Sequence, residues 1–297
     1  MKNIFHFTIF TVILFLYLVG CNREAAIKGK QAREYFNNQE YNKVIEILET
    51  IKPSRRTANV SLLLGKSYSA IFEFDKADHI FMNIFKRYPY LKDSLITAYM
   101  SIADRFEKRK RTDLAVKAYR SLLNIESEYN LDNGFYTLGH YYYIRNDIEE
   151  AMNFLEKGID NITEPHILAK VKTELMDIYD TVGMLKKAIE ISVDDSSSDI
   201  IYRRGKISYK LAKDLFAGKE FDSALVYCKN IIEINSPKTL IDDTYFLMGE
   251  IYSACGNYNN ALRCYREVVK LDRFRNSEIA SLARKKIGVL TQLRKGE

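Results

Sequence analysis

Seven times between Ala32 and Ala261 the chain repeats one spacing, and that spacing constrains its fold more than any bulk property does. Each copy opens on a site held by Ala32, Gly65, Ala103, Gly139, Met176, Ala212 or Gly249. A second site lies twelve residues later, at Val44, Ala77, Ala115, Ala151, Ala188, Ala224 and Ala261. Three residues after each first site stands Tyr35, Tyr68, Phe106, Tyr142, Tyr179, Leu215 or Tyr252. Successive copies start 33, 38, 36, 37, 36 and 37 residues apart, so the unit itself takes no insertion and only the links vary. No residue type exceeds roughly a tenth of an average chain, so Ala at six of seven second sites is not chance. Around the first sites apolar residues fall at i, i+3, i+4 and i+7, the stripe of an amphipathic helix. Two helices per copy then meet where both sites are small, and a bulky residue there would overpack the contact by ~1–3 kcal/mol. Each pair leaves an apolar face bare until the next pair stacks on it. Only four Pro and 13 Gly in 297 residues agree with long regular elements.

The clearest copy reads Tyr245-x-x-Met248-Gly249-x-x-Tyr252, then Gly256-Asn257-Tyr258, Ala261, Tyr265, Val268 and Leu271. It resembles the tetratricopeptide repeat, a helix–turn–helix of about 34 residues. The resemblance implies an all-α, right-handed solenoid of about seven helix–turn–helix repeats with a C-terminal capping helix. Repeats one to five are expected over 25–192, a polar loop or hinge over 193–200, repeats six and seven over 201–275, and the cap over 276–297. Asn276 or Ser277 can start the cap. Ile279, Leu282, Ile287 and Leu290 supply its apolar side, leaving Arg284, Lys285, Lys286, Arg294 and Lys295 to water. Two copies depart from the pattern. Repeat three carries Lys108-Arg109-Lys110-Arg111 where a Gly or Asn turn is usual, a basic run read as a solvated turn, with anionic lipid headgroups or an acidic partner as the alternative contacts. Repeat five has bulky Met176 at its first site, and its second helix is expected to stop near Ser192, before Asp194-Asp195-Ser196-Ser197-Ser198-Asp199.

The N-terminus sets the expected compartment. Met1-Lys2-Asn3 precedes an uncharged run from Ile4 to Val19, the form of a secretory signal. The run is 16 residues, short of the ~20 a membrane-spanning helix needs. Leu18-Val19-Gly20-Cys21 resembles the lipobox of bacterial lipoproteins. That resemblance implies a signal over 1–20, cleavage before Cys21, and covalent diacylglycerol and N-acyl lipid on Cys21. Two or more acyl chains anchor stably where one does not. Asn22 follows the Cys where Asp would retain a lipoprotein at the inner membrane, which points to the periplasmic face of an outer membrane if there is one. Residues 21–24 are then a lipidated Cys and short tether, reaching ~15 Å at ~3.5 Å per residue. The first repeat is expected against the membrane.

Chemistry is sparse elsewhere. Beyond the leader stand three His (His79, His140 and His166), none in a metal-ligand spacing. Gly65-Lys66-Ser67 mimics the end of a phosphate-binding loop, but Val60 stands where its first Gly belongs. Asp194, Asp195 and Asp199 read as a solvated loop rather than a calcium site. The odd count of Cys228, Cys255 and Cys264 favours packed, reduced thiols. The net charge of +6 is mild and mixed with 39 acidic residues, against a nucleic-acid partner. No catalytic residue, metal or soluble cofactor is expected, nor a small-molecule substrate.

In tetratricopeptide proteins the first helix of each pair lines a groove. The corresponding residues here are Tyr136, His140 and Tyr143 in repeat four; Lys206, Tyr209, Lys213 and Phe216 in repeat six; and Phe246 and Glu250 in repeat seven. Aromatics with lysines suit a peptide or protein partner, because Tyr anchors interfaces at low entropy cost. Phe85-Lys86-Arg87-Tyr88-Pro89 is similar to the linker of the helical-repeat lipoprotein of the β-barrel assembly machinery, with Ser94 displaced by an insertion. The expected function is a membrane-anchored scaffold for envelope proteins, of the outer-membrane protein assembly type. An adaptor for peptidoglycan enzymes, a secretin pilotin and a small-ligand binding protein are the alternatives.

Overall fold

The computed structural model describes residues 24–272 and 277–293, all of their regular structure helical. The signal, Cys21, Arg294 and Lys295 lie outside the described residues. Among the described residues fifteen α-helices follow one another: α1 over 24–37, α2 (Tyr41–Glu49), α3 (Ala58–Ala70), α4 (Phe74–Arg87), α5 (Lys92–Lys108), α6 (Thr112–Ile125), α7 (Gly134–Tyr143), α8 (Ile148–Asn161), α9 (Pro165–Thr181), α10 (Leu185–Glu190), α11 (Ser198–Ala217), α12 (Phe221–Ile234), α13 (Ile241–Ala254), α14 (Tyr258–Leu271) and α15 (Glu278–Leu293). Seven consecutive helix–turn–helix pairs and a capping helix are thus present, as the repeat implies. None of the described helices is long and apolar enough to cross a membrane. The chain forms two compact units, residues 1–141 and 142–297, and the division falls within α7.

One turn closes every pair. Gln39, Phe72, Lys110, Asn146, Gly183, Lys219 and Gly256 all have φ between 57° and 80°. Each lies seven residues after the first site of its copy. The next residue donates its backbone N–H back to the carbonyl of the aromatic site: Glu40 to Tyr35, Glu73 to Tyr68, Arg111 to Phe106, Asp147 to Tyr142, Met184 to Tyr179, Glu220 to Leu215 and Asn257 to Tyr252, at 2.7–3.0 Å. This is the six-residue closure of a left-handed helix C-terminus. The turn geometry, not glycine itself, is what recurs, and the basic run of repeat three adopts it through Lys110. Phe72 is held there by stacking on Phe106, with ring centroids 5.9 Å apart.

The small first sites admit a ring from the second helix. A Cβ on Gly249 would lie 2.6 Å from the Tyr265 ring, and one on Gly65 would overlap Phe81. In both copies that ring lies sixteen residues after the glycine. Repeat five inverts the arrangement: Met176 and Ser192 occupy these two positions, both fully buried. Its second helix, α10, ends at Glu190, two residues before Ser192.

Buried tyrosine hydroxyls recur as struts. Tyr99 donates to Asp78 at 2.6 Å, Tyr179 to Glu156 at 2.5 Å, and Tyr68 to Glu49. Each satisfies a hydroxyl whose burial unpaired would cost ~1–3 kcal/mol.

In the second unit Ala280, Ala283 and Leu290 of α15 are buried against Ala261, Leu262, Tyr265 and Val268, with Ile279 and Ile287 packed partly on the same cluster. Leu282, expected on the apolar side, is 43% exposed. Its place is taken by Ala280 and Ala283, whose small side chains let α15 approach closely. Two of the charges expected in water are paired: Arg284 with Asp272 and Lys286 with Glu250, both at 2.8 Å. The polar stretch 193–200 lies inside this unit rather than at its edge. Arg204 donates to the Ser192 carbonyl at 2.6 Å, and residues 198–200 already form the first turn of α11.

Candidate functional site

The expected groove residues separate into two groups. In the first unit Tyr136 stacks on His140 with centroids 5.3 Å apart and planes 27° apart. Both are half-buried. Beside them Thr137 donates to Glu107 at 2.6 Å, the carboxylate that also accepts the Tyr119 hydroxyl at 3.2 Å.

The second unit holds the rest, and α9, α11, α13 and α15 carry charges of alternating sign. From α9, Asp180 takes Lys210 of α11 at 2.6 Å, and Asp177 takes Arg203. Tyr143 also donates to Asp177, at 3.2 Å. From α13, Glu250 accepts both the Tyr265 hydroxyl and the Lys286 ammonium of α15. Glu250 is therefore committed to the stacking of its own repeats. Exposed pairs of this kind are worth ~0–1 kcal/mol each, so they set the register of neighbouring helices more than they hold the unit together.

Lys206, Tyr209, Lys213 and Phe216 lie at i, i+3, i+7 and i+10 on α11. Lys206 and Lys213 are exposed, and Tyr209 and Phe216 are half-buried. Each lysine lies over a ring: Lys206 over Tyr202 at 5.7 Å and Lys213 over Tyr209 at 5.9 Å. Phe216 tilts against Phe221 with centroids 6.0 Å apart. Burial, with Asp243, Cys228 and Asp242 nearby, pushes the Tyr209 hydroxyl up to about 12. Burial and the neighbouring Asp242 hold Asp243 above the usual carboxylate range. Phe246 turns inward onto Tyr265 at 5.5 Å and packs on the capping cluster.

On the α9 side of this row is a cleft of about 180 Å³ walled by Asp177, Asp180, Asp199, Tyr202, Arg203 and Lys206. Sequence reasoning missed its acidic wall. The groove positions used for repeats four, six and seven, applied to repeat five, give Asp177 and Asp180 directly. The carboxylates of the wall are held by Arg203 and Lys210, so an extended peptide would meet the exposed Lys206 and Lys213 and the rings beside them. Among the described residues no group of three or more His, Cys, Asp and Glu could hold a metal ion.

The three described cysteines are unpaired. Burial pushes the Cys228 thiol up to about 12 and the Cys264 thiol up to about 11. Cys255, expected to be packed, is exposed at the end of α13, where the helix turns into the Gly256 corner.

Comparison with known proteins agrees with the repeat. Residues 133–161 and 242–274 match the family model of the tetratricopeptide repeat. No curated protein matches the chain. Among solved structures the chain is similar to YrrB, described as a TPR protein with an unusual peptide-binding site, at 17% identity and TM-score 0.38, covering 69% of this chain and 97% of that one. It is also similar to the C-terminal part of a TPR repeat-containing protein from Cytophaga hutchinsonii, at 17% identity and TM-score 0.39, covering 86% and 98%. The TPR2AB domain of yeast Sti1 in complex with an HSP90 peptide matches at 12% identity and TM-score 0.41, covering 90% and 98%. All three TM-scores lie below 0.5, so the fold assignment stands on the helix pairs themselves. Two segments thus carry the tetratricopeptide repeat, and the described residues as a whole form an all-helical stack of helix pairs of that type.

Proposed function

We propose that the protein is a lipid-anchored scaffold that holds peptide segments of envelope proteins on the extracytoplasmic face, as an assembly factor. The observation that carries the holding role is the α11 row: Lys206 and Lys213 exposed over tyrosine rings, beside the carboxylate wall of α9. Rings give contact area at low entropy cost, and the flanking charges fix the direction of an extended segment. Leu18-Val19-Gly20-Cys21 supports the anchor, with diacylglycerol and an N-acyl chain on Cys21 and the periplasmic face of an outer membrane as the site. The Phe85-to-Pro89 segment supports the outer-membrane protein assembly type over adaptors of peptidoglycan enzymes and pilotins.

Two experiments test this. Labelling cells with a fatty acid should mark the wild-type chain and leave Cys21→Ala unmarked; an unmarked wild type would remove the anchor. A native pull-down of wild type against Lys206→Glu/Lys213→Glu should lose outer-membrane barrel components in the variant. Recovery of cell-wall enzymes instead would replace the assembly role, and unchanged partners in the variant would remove the α11 row.

A further inference from the structure

The chain between the helix pairs of repeats one, two and three is basic. The link after α2, residues 50–57, and the segment from the end of α4 to the start of α5, residues 86–92, hold six cations and no carboxylate: Lys52, Arg55, Arg56, Lys86, Arg87 and Lys92. At the other end of these pairs Glu40 pairs with Lys43, Glu73 with Lys76 and Asp75 with Lys117, so the charges there cancel. The structure brings the basic segments together. Arg55 and Thr57 share a cleft of about 570 Å³ with Ala26, Lys30 and Arg33 of α1. Pro53, Ser54 and Arg56 line a second cleft with Arg87 and Tyr88. The start of α1, the start of α3 and the end of α4 therefore share one end of the first unit.

Three acidic groups at that end are engaged, while Glu128 and Asp132 of the link after α6 are exposed. Glu24 pairs with Lys28 at 2.6 Å, Glu49 accepts the Tyr68 hydroxyl, and Glu126 pairs with Lys92. Asp93 lies in the first turn of α5. Two apolar side chains project among the cations: Tyr90 is 78% exposed and Ile27 is 60% exposed. Cations around an exposed tyrosine match the headgroup level of a bilayer, where rings sit at the interface and anionic phosphates attract lysine and arginine.

We propose that this end of the first unit is a docking surface for a bilayer carrying anionic phospholipid. Its orientation rests on the lipid-anchor reading: α1 begins three residues after Cys21, so this is the end the anchor would hold against the membrane. The surface then fixes the tilt of the first repeats, which a lipid anchor alone cannot do.

The test uses the chain from residue 22 onward, without leader or lipid, and phospholipid vesicles in a flotation assay. Binding is expected to phosphatidylglycerol–phosphatidylcholine vesicles, to weaken with salt, and to be absent on pure phosphatidylcholine. Lys30→Glu/Lys52→Glu/Arg87→Glu should lower the partition coefficient at least roughly a hundredfold, about fivefold for each cation lost. Tyr90→Ala should lower it less. Lys186→Glu/Lys229→Glu/Lys285→Glu, with the same change in net charge, should leave binding near wild type. Absence of binding, equal binding to neutral vesicles, or equal loss in both triple variants would overturn the proposal. Because the assay omits the lipid, its failure leaves the anchor reading intact, and failure of the fatty-acid labelling leaves this result intact.

Discussion

Repeats seven and five fill the same helix contact with opposite side chains. In repeat seven a glycine on the first helix admits the Tyr265 ring of the second, and the ring's hydroxyl reaches Glu250. In repeat five the bulk has moved across: Met176 stands at the glycine's position and Ser192 at the ring's. In these two copies the contact holds a similar filled volume rather than a fixed residue at either site, in keeping with the close packing of protein interiors. It also explains why α10 can be six residues long. A ring sixteen residues after the first site needs a full second helix to present it, whereas a serine at the end of a turn does not.

The largest effect should come from breaking the packing of repeat seven on one side. Tyr265→Ser leaves a ring-sized void and should cost ~3–5 kcal/mol in urea denaturation. Gly249→Met alone should overpack the same contact by ~1–3 kcal/mol. The double variant Gly249→Met/Tyr265→Ser copies repeat five, and it should be more stable than Tyr265→Ser alone. A double variant as unstable as the sum of the two would show that the exchange in repeat five depends on its shortened helix.

Next in size is alkaline pH, which separates the buried thiols from the exposed one. Burial raises the folded Cys228 thiol from the ordinary 9.0 to about 12. The stability this thiol contributes is complete below its unfolded value and is lost as pH rises from about 9 toward 12. Urea midpoints across that window should fall less steeply in Cys228→Ala. At neutral pH a thiol reagent should label Cys255 first, with Cys228 and Cys264 following only on unfolding.

Smaller changes are expected at the turns. Lys219→Gly and Lys110→Gly relieve a left-handed side chain and should raise stability by ~0.4–1 kcal/mol, while Gly256→Ala should lower it by about as much.

The pairs themselves were legible because a twelve-residue spacing survives in all seven copies, with small residues at both sites in every copy but the first and the fifth. The turns were legible only in part: Gly183 and Gly256 stand out in sequence, whereas Gln39, Phe72 and Lys219 give no sign of adopting the same φ. The Met176 departure was visible, but its compensation sixteen residues later shows only once Phe81 and Tyr265 are seen packed on their glycines. Leu282 misled because hydrophobicity was read ahead of size, and a capping helix that approaches closely buries alanine first. Glu250 matched a groove position by spacing, yet its carboxylate is taken by Tyr265 and Lys286, a pairing that periodicity within one helix cannot reveal. The α11 row was legible from spacing alone; the carboxylate wall that faces it came from α9, a helix whose groove positions carry no aromatic to draw attention.

The holding role of that row can be tested directly by placing a photo-crosslinking residue at position 206 or 213 in living cells, and at position 229 on α12 for comparison. Adducts with an extracytoplasmic protein from 206 and 213, absent from 229, are what the account predicts. The same adducts from all three positions, or from 229 alone, would contradict it.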